Sequence, residues 1–250
     1  MLLHYADMAA RGGVEQIAIG AELHKLSTTP GNEPYWRDII QAMRSRYEGK
    51  LTYSALFASS RDELNGIPFW DALDSVGLSA YQPVASNTTP TVDSIKAQWA
   101  DIEARYIYPA YLKYKKPILV AEVGWKSADG AGMKPESSIS STVDLQEQAD
   151  LYKGFLEFWR TKDYFAGVHF WDWWPSPTAG GSGNNDFTPQ RKPAEEIIRQ
   201  YFGGDISKEL PSSPPPPPPP APEPEPELPP ASILKVFSPL PNSTISGEKK

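Results

Sequence analysis

Five short apolar runs recur along the first 203 residues, and segments of helical periodicity lie between them. The runs are Gln16–Ile19, Leu51–Ala58, Val76–Tyr81, Ile118–Glu122 and Phe165–Trp171. Helices are expected over Pro34–Tyr47, Phe69–Ser75, Val92–Tyr114, Asp144–Thr161 and Pro193–Tyr201. Pro34 suits a first helical turn, Ile39, Ile40 and Met43 form an apolar stripe, and Pro109 predicts a kink in the long helix. Short, β-branched runs of this kind read as parallel strands buried on both faces. Repeated strand–helix units with right-handed crossovers give a parallel sheet. A doubly wound sheet would place a glycine-rich phosphate loop after an early strand. Here Gly180-Gly181-Ser182-Gly183 lies beyond the last strand instead. The expected fold class is therefore α/β, a partial (β/α)8 TIM barrel. A full barrel takes about 250 residues, so these units are expected to be strands 4–8, with strands 1–3 encoded upstream. Consistent with that, residues 1–10 read as an amphipathic helix already in progress, stopped by Gly12-Gly13, without the basic start of a signal peptide.

Two runs end on an acid. Glu22 closes Ile17-Ala18-Ile19-Gly20-Ala21, and Glu122 closes Pro117-Ile118-Leu119-Val120-Ala121. Packing gives a buried strand no reason to finish on a carboxylate, but the C-terminal strand ends of an α/β barrel are where catalytic groups sit. Two carboxyl groups on separate strand ends are what cleavage of a glycosidic bond needs. Tyr81, at the end of another run, is the candidate hydrogen-bond donor to Glu122, with a core tyrosine as the alternative. Trp171-Asp172-Trp173-Trp174 follows the last run, and alternation sets Trp171 and Trp173 on one side. Trp171 is expected to form a platform under a sugar ring, its face favouring positive charge on that ring, with Trp173 beside it. His24 and Asp186, on loops near the strand ends, are candidate sugar contacts; a surface histidine and a solvated loop acid are the plainer readings.

Composition narrows the chemistry further. With no cysteine, thiolate metal sites and disulfides are excluded. The 3 histidines lack metal-binding spacing, so no catalytic metal and no cofactor is expected. A net charge of −7 without a basic patch argues against nucleic acid. No run is long and apolar enough for a membrane span.

Several blocks, taken in order, resemble one family. They are Ile19-Gly20-Ala21-Glu22-Leu23, Tyr35-Trp36, Gly49-Lys50-Leu51-Thr52-Tyr53, Phe69-Trp70-Asp71-Ala72-Leu73-Asp74 and Gly77-Leu78-Ser79-Ala80-Tyr81. Lys116 to Ser127, Gly167 to Trp173 and Phe187 to Ala194 complete the series. The pattern is similar to glycoside hydrolase family 113, whose characterised members mainly cleave β-1,4-mannan. The resemblance implies a retaining endo-acting mannanase with its catalytic carboxylates on strands 4 and 7. Glu22 would be the general acid/base and Glu122 the nucleophile, about 5–5.5 Å apart. Trp125, where tyrosine is common in the family, joins the expected substrate contacts, and Ala21 replaces a small polar residue. A barrel glycosidase acting on glucan or xylan, and a non-catalytic carbohydrate-binding or cell-surface protein, stay open as alternatives.

Composition changes abruptly after Gly204. Residues 204–231 read as a Pro/Glu-rich linker: 13 prolines fall between Pro211 and Pro230, a density that favours an extended polyproline spacer. Residues 232–250 open like a further β-rich module and are too few to fold alone. An extracellular or cell-surface enzyme on a polysaccharide substrate, tethered to further modules, is the expected setting.

Overall fold

The computed structural model describes residues 1–58 and 61–203. The expected linker and further module therefore lie outside the described residues. In chain order the elements are α1 (Leu2–Gly12), β1 (Gln16–Ala21), α2 (His24–Ser27), α3 (Glu33–Arg44), β2 (Lys50–Ala58) and β3 (Arg61–Asp62). A 3-10 turn at Trp70–Ala72 leads to β4 (Val76–Tyr81) and α4 (Val92–Ile102). A π turn at Glu103–Ile107 then precedes α5 (Tyr108–Tyr114), β5 (Ile118–Val123), α6 (Leu145–Trp159), β6 (Phe165–Phe170) and α7 (Pro193–Phe202). The five long strands pair in parallel in the order β1-β2-β4-β5-β6, and β3 is antiparallel to β2.

Local chemistry explains most boundaries. Thr91 and Ser94 form a reciprocal capping box at the start of α4, and Asp144 caps α6 by accepting from Glu147 N at 2.8 Å. Gly203 ends α7 with a left-handed φ of 70°. The long helix runs without a gap from Val92 to Tyr114 and carries a π turn just ahead of Pro109, where the kink is expected, since a proline has no N–H to continue the ladder. Two expectations need correction. The segment Phe69–Ser75 holds a single 3-10 turn, because its chain must climb straight back into β4. The last strand stops at Phe170, so Trp171 to Trp174 lie in a loop and strand alternation does not orient them.

The central strands are buried on both faces: every residue of β4, and Leu51 to Ala55 of β2, is shielded from solvent. Ile19, Leu51, Tyr53, Ala55, Phe57, Val76, Leu78, Ala80, Ile118 and Val120 join one core with helical Trp36, Met43, Ile95, Trp99, Leu151 and Phe155. The alternate residues of β2 and β4, Thr52, Ser54 and Ser79, are small and polar, and the Ser54 and Ser79 hydroxyls meet at 2.9 Å. Together with Ala18, Leu119, Ala121, Glu122 and His169, Thr52 and Ser54 line an open hollow of about 460 Å³. The expectation of strands buried on both faces holds for β2 and β4 and fails for the outer strands β1 and β6, which keep partly exposed positions. The fold is an α/β parallel sheet consistent with part of a (β/α)8 barrel.

Register shifts interrupt the β1–β2, β4–β5 and β5–β6 ladders, and two of them fall just before a candidate acid. Between β1 and β2, Ala18 pairs with Thr52 and Ala21 with Ser54, so β1 carries one extra residue ahead of Glu22. Between β4 and β5, Leu78 pairs with Val120 and Ser79 with Glu122, so Ala121 is the extra residue. A one-residue bulge transfers everything beyond it to the other face. Without it, Glu122 would share the helix-packed side of Ile118 and Val120.

Candidate active site

Glu22 leaves β1 in a left-handed conformation, φ 56°, with its amide donating to Ser54 O at 2.9 Å. That backbone region is costly for a residue with a side chain, and strain of this kind collects at functional sites. Glu122 lies inside β5, half-buried, and Tyr81 closes β4 beside it. The Tyr81 hydroxyl donates to Glu122 Oε1 at 2.7 Å. Both glutamates, Tyr81 and Trp171 line one cleft of about 500 Å³, with Leu56, Ala58, Glu136 and Phe187.

The electrostatics couple these groups. Burial pushes the Glu122 carboxyl above its ordinary range, the Tyr81 hydrogen bond pulls it back, and the negative charge of Glu22 adds to the upward push. Burial and Glu122 both hold the Tyr81 phenol well above its usual value, so it remains a proton donor. An acid in reach of a second carboxylate, beside a fixed donor and an aromatic face, suits attack at an electrophilic sugar carbon.

The family assignment follows from comparison with known proteins. Residues 1–192 match the family model of Glycoside Hydrolase Family 113. The chain belongs to that family. A solved GH113 β-1,4-mannanase is 27% identical with a TM-score of 0.65, covering 81% of this chain and 60% of its own. The GH113 β-mannanase AaManA from Alicyclobacillus acidocaldarius, in complex with ManMIm, is 27% identical with a TM-score of 0.62, covering 82% and 60%. A β-D-glucuronidase from Dictyoglomus thermophilum shares the fold alone, at 16% identity and a TM-score of 0.53 over 80% of this chain and 35% of its own. No curated protein matches the chain. The chain spans about 60% of the length of the GH113 mannanases it matches.

Within this family 113 chain, the other candidate residues scatter. Trp171 is half-exposed at the cleft, and its peptide bond to Asp172 is cis. Trp173 is exposed but does not line the cleft, while Trp174 is tied through its backbone to the Gln190 side chain. Trp125 has no exposed surface: its ring packs edge-on to Tyr152 at 5.3 Å and Phe155 at 6.0 Å. Its expected place among the substrate contacts is therefore corrected to the core, because Trp125 turns toward α6 where β5 ends. His24 opens α2 and does not line the cleft; its buried Nδ1 has no hydrogen-bond partner among the described residues. Asp186 serves its own loop, capping Phe187 N at 3.0 Å and offering its backbone oxygen to Lys192 Nζ at 2.9 Å.

Sequence reasoning missed Glu136 and Phe187. Both sit on irregular loops, where no periodicity marks them, although Phe187 opens the last family block. Phe187 carries Lys126 Nζ over its ring at 5.5 Å and accepts from Gln148 Nε2 at its carbonyl, 3.0 Å. Buried Lys192 ties the neighbouring loop by donating to Ser127 Oγ and Asn184 Oδ1, each at 2.8 Å. Gly124 makes the close approach between β5 and the Trp171 loop, since a Cβ there would stand 1.8 Å from Trp171 O. Among the described residues, the acids Asp129, Asp144 and Glu147 bring ligand atoms within 4.8 Å of one another. They line no part of the cleft, and Glu147 accepts from Gly130 N and Gly132 N, a capping role.

Proposed function

We propose that this chain supplies strands 4 to 8, and both catalytic carboxyl groups, of a retaining endo-β-1,4-mannanase. The observation that carries the reading is the Tyr81–Glu122 hydrogen bond, set in the cleft that Glu22 and Trp171 also line. Family membership and the mannanases among its structural neighbours support the substrate class. Strands 1 to 3 would come from a preceding segment that closes the sheet between β1 and β6. The setting is an extracellular or cell-surface protein acting on plant polysaccharide, with the Pro/Glu-rich segment tethering a further module.

The reaction proceeds in two displacements. A carboxylate oxygen of Glu122 attacks the anomeric carbon, the bond to the leaving oxygen breaks, and Glu22 delivers its proton to that oxygen. Water then attacks the same carbon, Glu22 takes a proton from it, and the bond to Glu122 breaks. Tyr81 steadies the attacking carboxylate, and the Trp171 face meets the positive charge that builds on the ring.

The test uses the full-length protein. Glu122→Ala should abolish mannan cleavage, and azide should restore turnover of an aryl β-mannobioside as a glycosyl azide of inverted configuration. Absence of rescue would remove Glu122 as nucleophile. Reducing-sugar release from mannan, glucan and xylan in parallel decides the substrate, and a preference for either of the latter two overturns the mannanase reading.

A further inference from the structure

We propose that Tyr53 and Glu63 are positioning residues for Glu22, holding its backbone so that the carboxyl is aimed into the cleft. The inference rests on Glu22 being the acid/base. Glu63 follows β3 and has no exposed surface. A buried carboxylate is a costly way to fill a core unless its oxygens are satisfied. Here Oε1 accepts from Tyr53 Oη at 2.5 Å and from Ser27 Oγ, while Oε2 accepts from Leu56 N at 2.7 Å. Three chain segments are thereby tied together: helix α2 at Ser27, the strand β2 and the stretch after β3.

The tie reaches Glu22 through a single acceptor. Tyr53 Oη receives the Leu23 amide proton at 2.6 Å. Because the phenol oxygen accepts from Leu23, its own proton is directed at Glu63, which when ionised only accepts. Glu22 is therefore pinned on both sides. Its own N–H is held by Ser54 O at 2.9 Å, and the next N–H by Tyr53. Fixing both flanking peptide groups fixes φ and ψ between them, which sustains the left-handed φ of 56°. The ring of Tyr53 is itself immobile, edge-on to Trp36 at 5.5 Å and Phe69 at 6.0 Å. Glu63 orients Tyr53, Tyr53 orients the Leu23 peptide, and that peptide aims Glu22.

The experiment compares Tyr53→Phe, Glu63→Gln and Glu22→Ala in the full-length protein on two substrates. Mannan needs a proton on its leaving oxygen; a dinitrophenyl β-mannobioside does not. Tyr53→Phe and Glu63→Gln should lower kcat/KM on mannan about 10- to 100-fold, the cost of a misplaced group. On the activated substrate, where the first step needs no acid, kcat/KM should fall less than about threefold. Amide exchange over residues 22–27 should quicken in both variants. Equal losses on the two substrates, or no loss on mannan, would overturn the proposal. Should Glu63→Gln fail to fold, Tyr53→Phe decides, since it keeps the ring and deletes only the hydroxyl. Glu22→Ala separates the two readings. If it loses both substrates alike, the acid/base assignment falls; if it spares the activated one while Tyr53→Phe does not, only the positioning inference falls.

Discussion

The Tyr81 hydroxyl and Glu122 Oε1 stand 2.7 Å apart, joining the ends of neighbouring strands β4 and β5. This bond opposes the two influences that push the Glu122 carboxyl upward, burial and the charge of Glu22. Tyr81→Phe should therefore let Glu122 hold its proton to higher pH. The acidic limb of the kcat/KM profile should move upward, and the optimum rate should drop about 100- to 1,000-fold, as for loss of one charge-stabilising donor. An unmoved acidic limb would mean that Glu122 is not the group titrating there.

Glu122→Gln should abolish turnover yet raise the melting temperature. A carboxyl whose folded pKa is raised binds its proton more tightly in the folded than in the unfolded chain. Its ionisation thus costs stability as pH rises through the carboxylate range, and the amide removes that cost. A gain of roughly 0.5–2 kcal/mol at neutral pH is expected, as for other relieved active-site groups. Below the ordinary carboxylate range both states are protonated, so the gain should vanish there in melting experiments.

Gly124→Ala should damage both stability and activity. The new Cβ meets a backbone oxygen of Trp171, which cannot swing aside as a side chain would. A loss of about 1–3 kcal/mol is expected from overpacking, with a raised KM because Trp171 moves. Gly12→Ala, at the end of α1, has only Val14 Cγ2 nearby at 3.8 Å and serves as the neutral control.

Lys192 predicts a pH signature of its own. Burial pushes its ammonium down to about 8, while Asp186 and Asp172 pull it up. A lysine depressed in the folded state costs stability while charged, and that cost is relieved as pH rises from about 8 toward the unfolded value of 10.5. Lys192→Met should lose this dependence, so wild type gains on the variant across that window. At neutral pH the variant takes a charged donor from Ser127 Oγ, Asn184 Oδ1 and Asp186 O and should lose about 1–3 kcal/mol, measured by denaturant titration.

Among the described residues the sheet ends on two unpaired edges, β1 and β6, and the groove beside β1 exposes Leu23, Leu26 and Tyr35. Unpaired edges with apolar surface invite association. On the barrel reading, residues 1–250 alone should melt at low temperature and release no reducing sugar. Strong activity from that chain would refute the need for strands 1 to 3.

The strands were legible in the sequence because their apolar runs are bounded and short; β4 was expected over Val76–Tyr81 and forms there. The same runs marked Glu22 and Glu122, since an acid at the end of an apolar strand has no packing explanation. Trp125 and Trp171 were not separable that way. Each follows a strand, yet Trp125 meets Tyr152 and Phe155 of α6, whereas Trp171 stays half-exposed at the cleft. Whether an aromatic packs or presents its face depends on which helix lies over it, and that is set by contacts distant in sequence.

Local chain chemistry by itself fixed where strands and helices form and which strands end in carboxyl groups, because periodicity and capping act over a few residues. The direction of those carboxyl groups came only with the tertiary structure. A single extra residue in β5 turns Glu122 from the helical face to Tyr81, and a second in β1 delivers Glu22 to the same rim. Register is settled by pairing between strands dozens of residues apart, so no local pattern could have specified it.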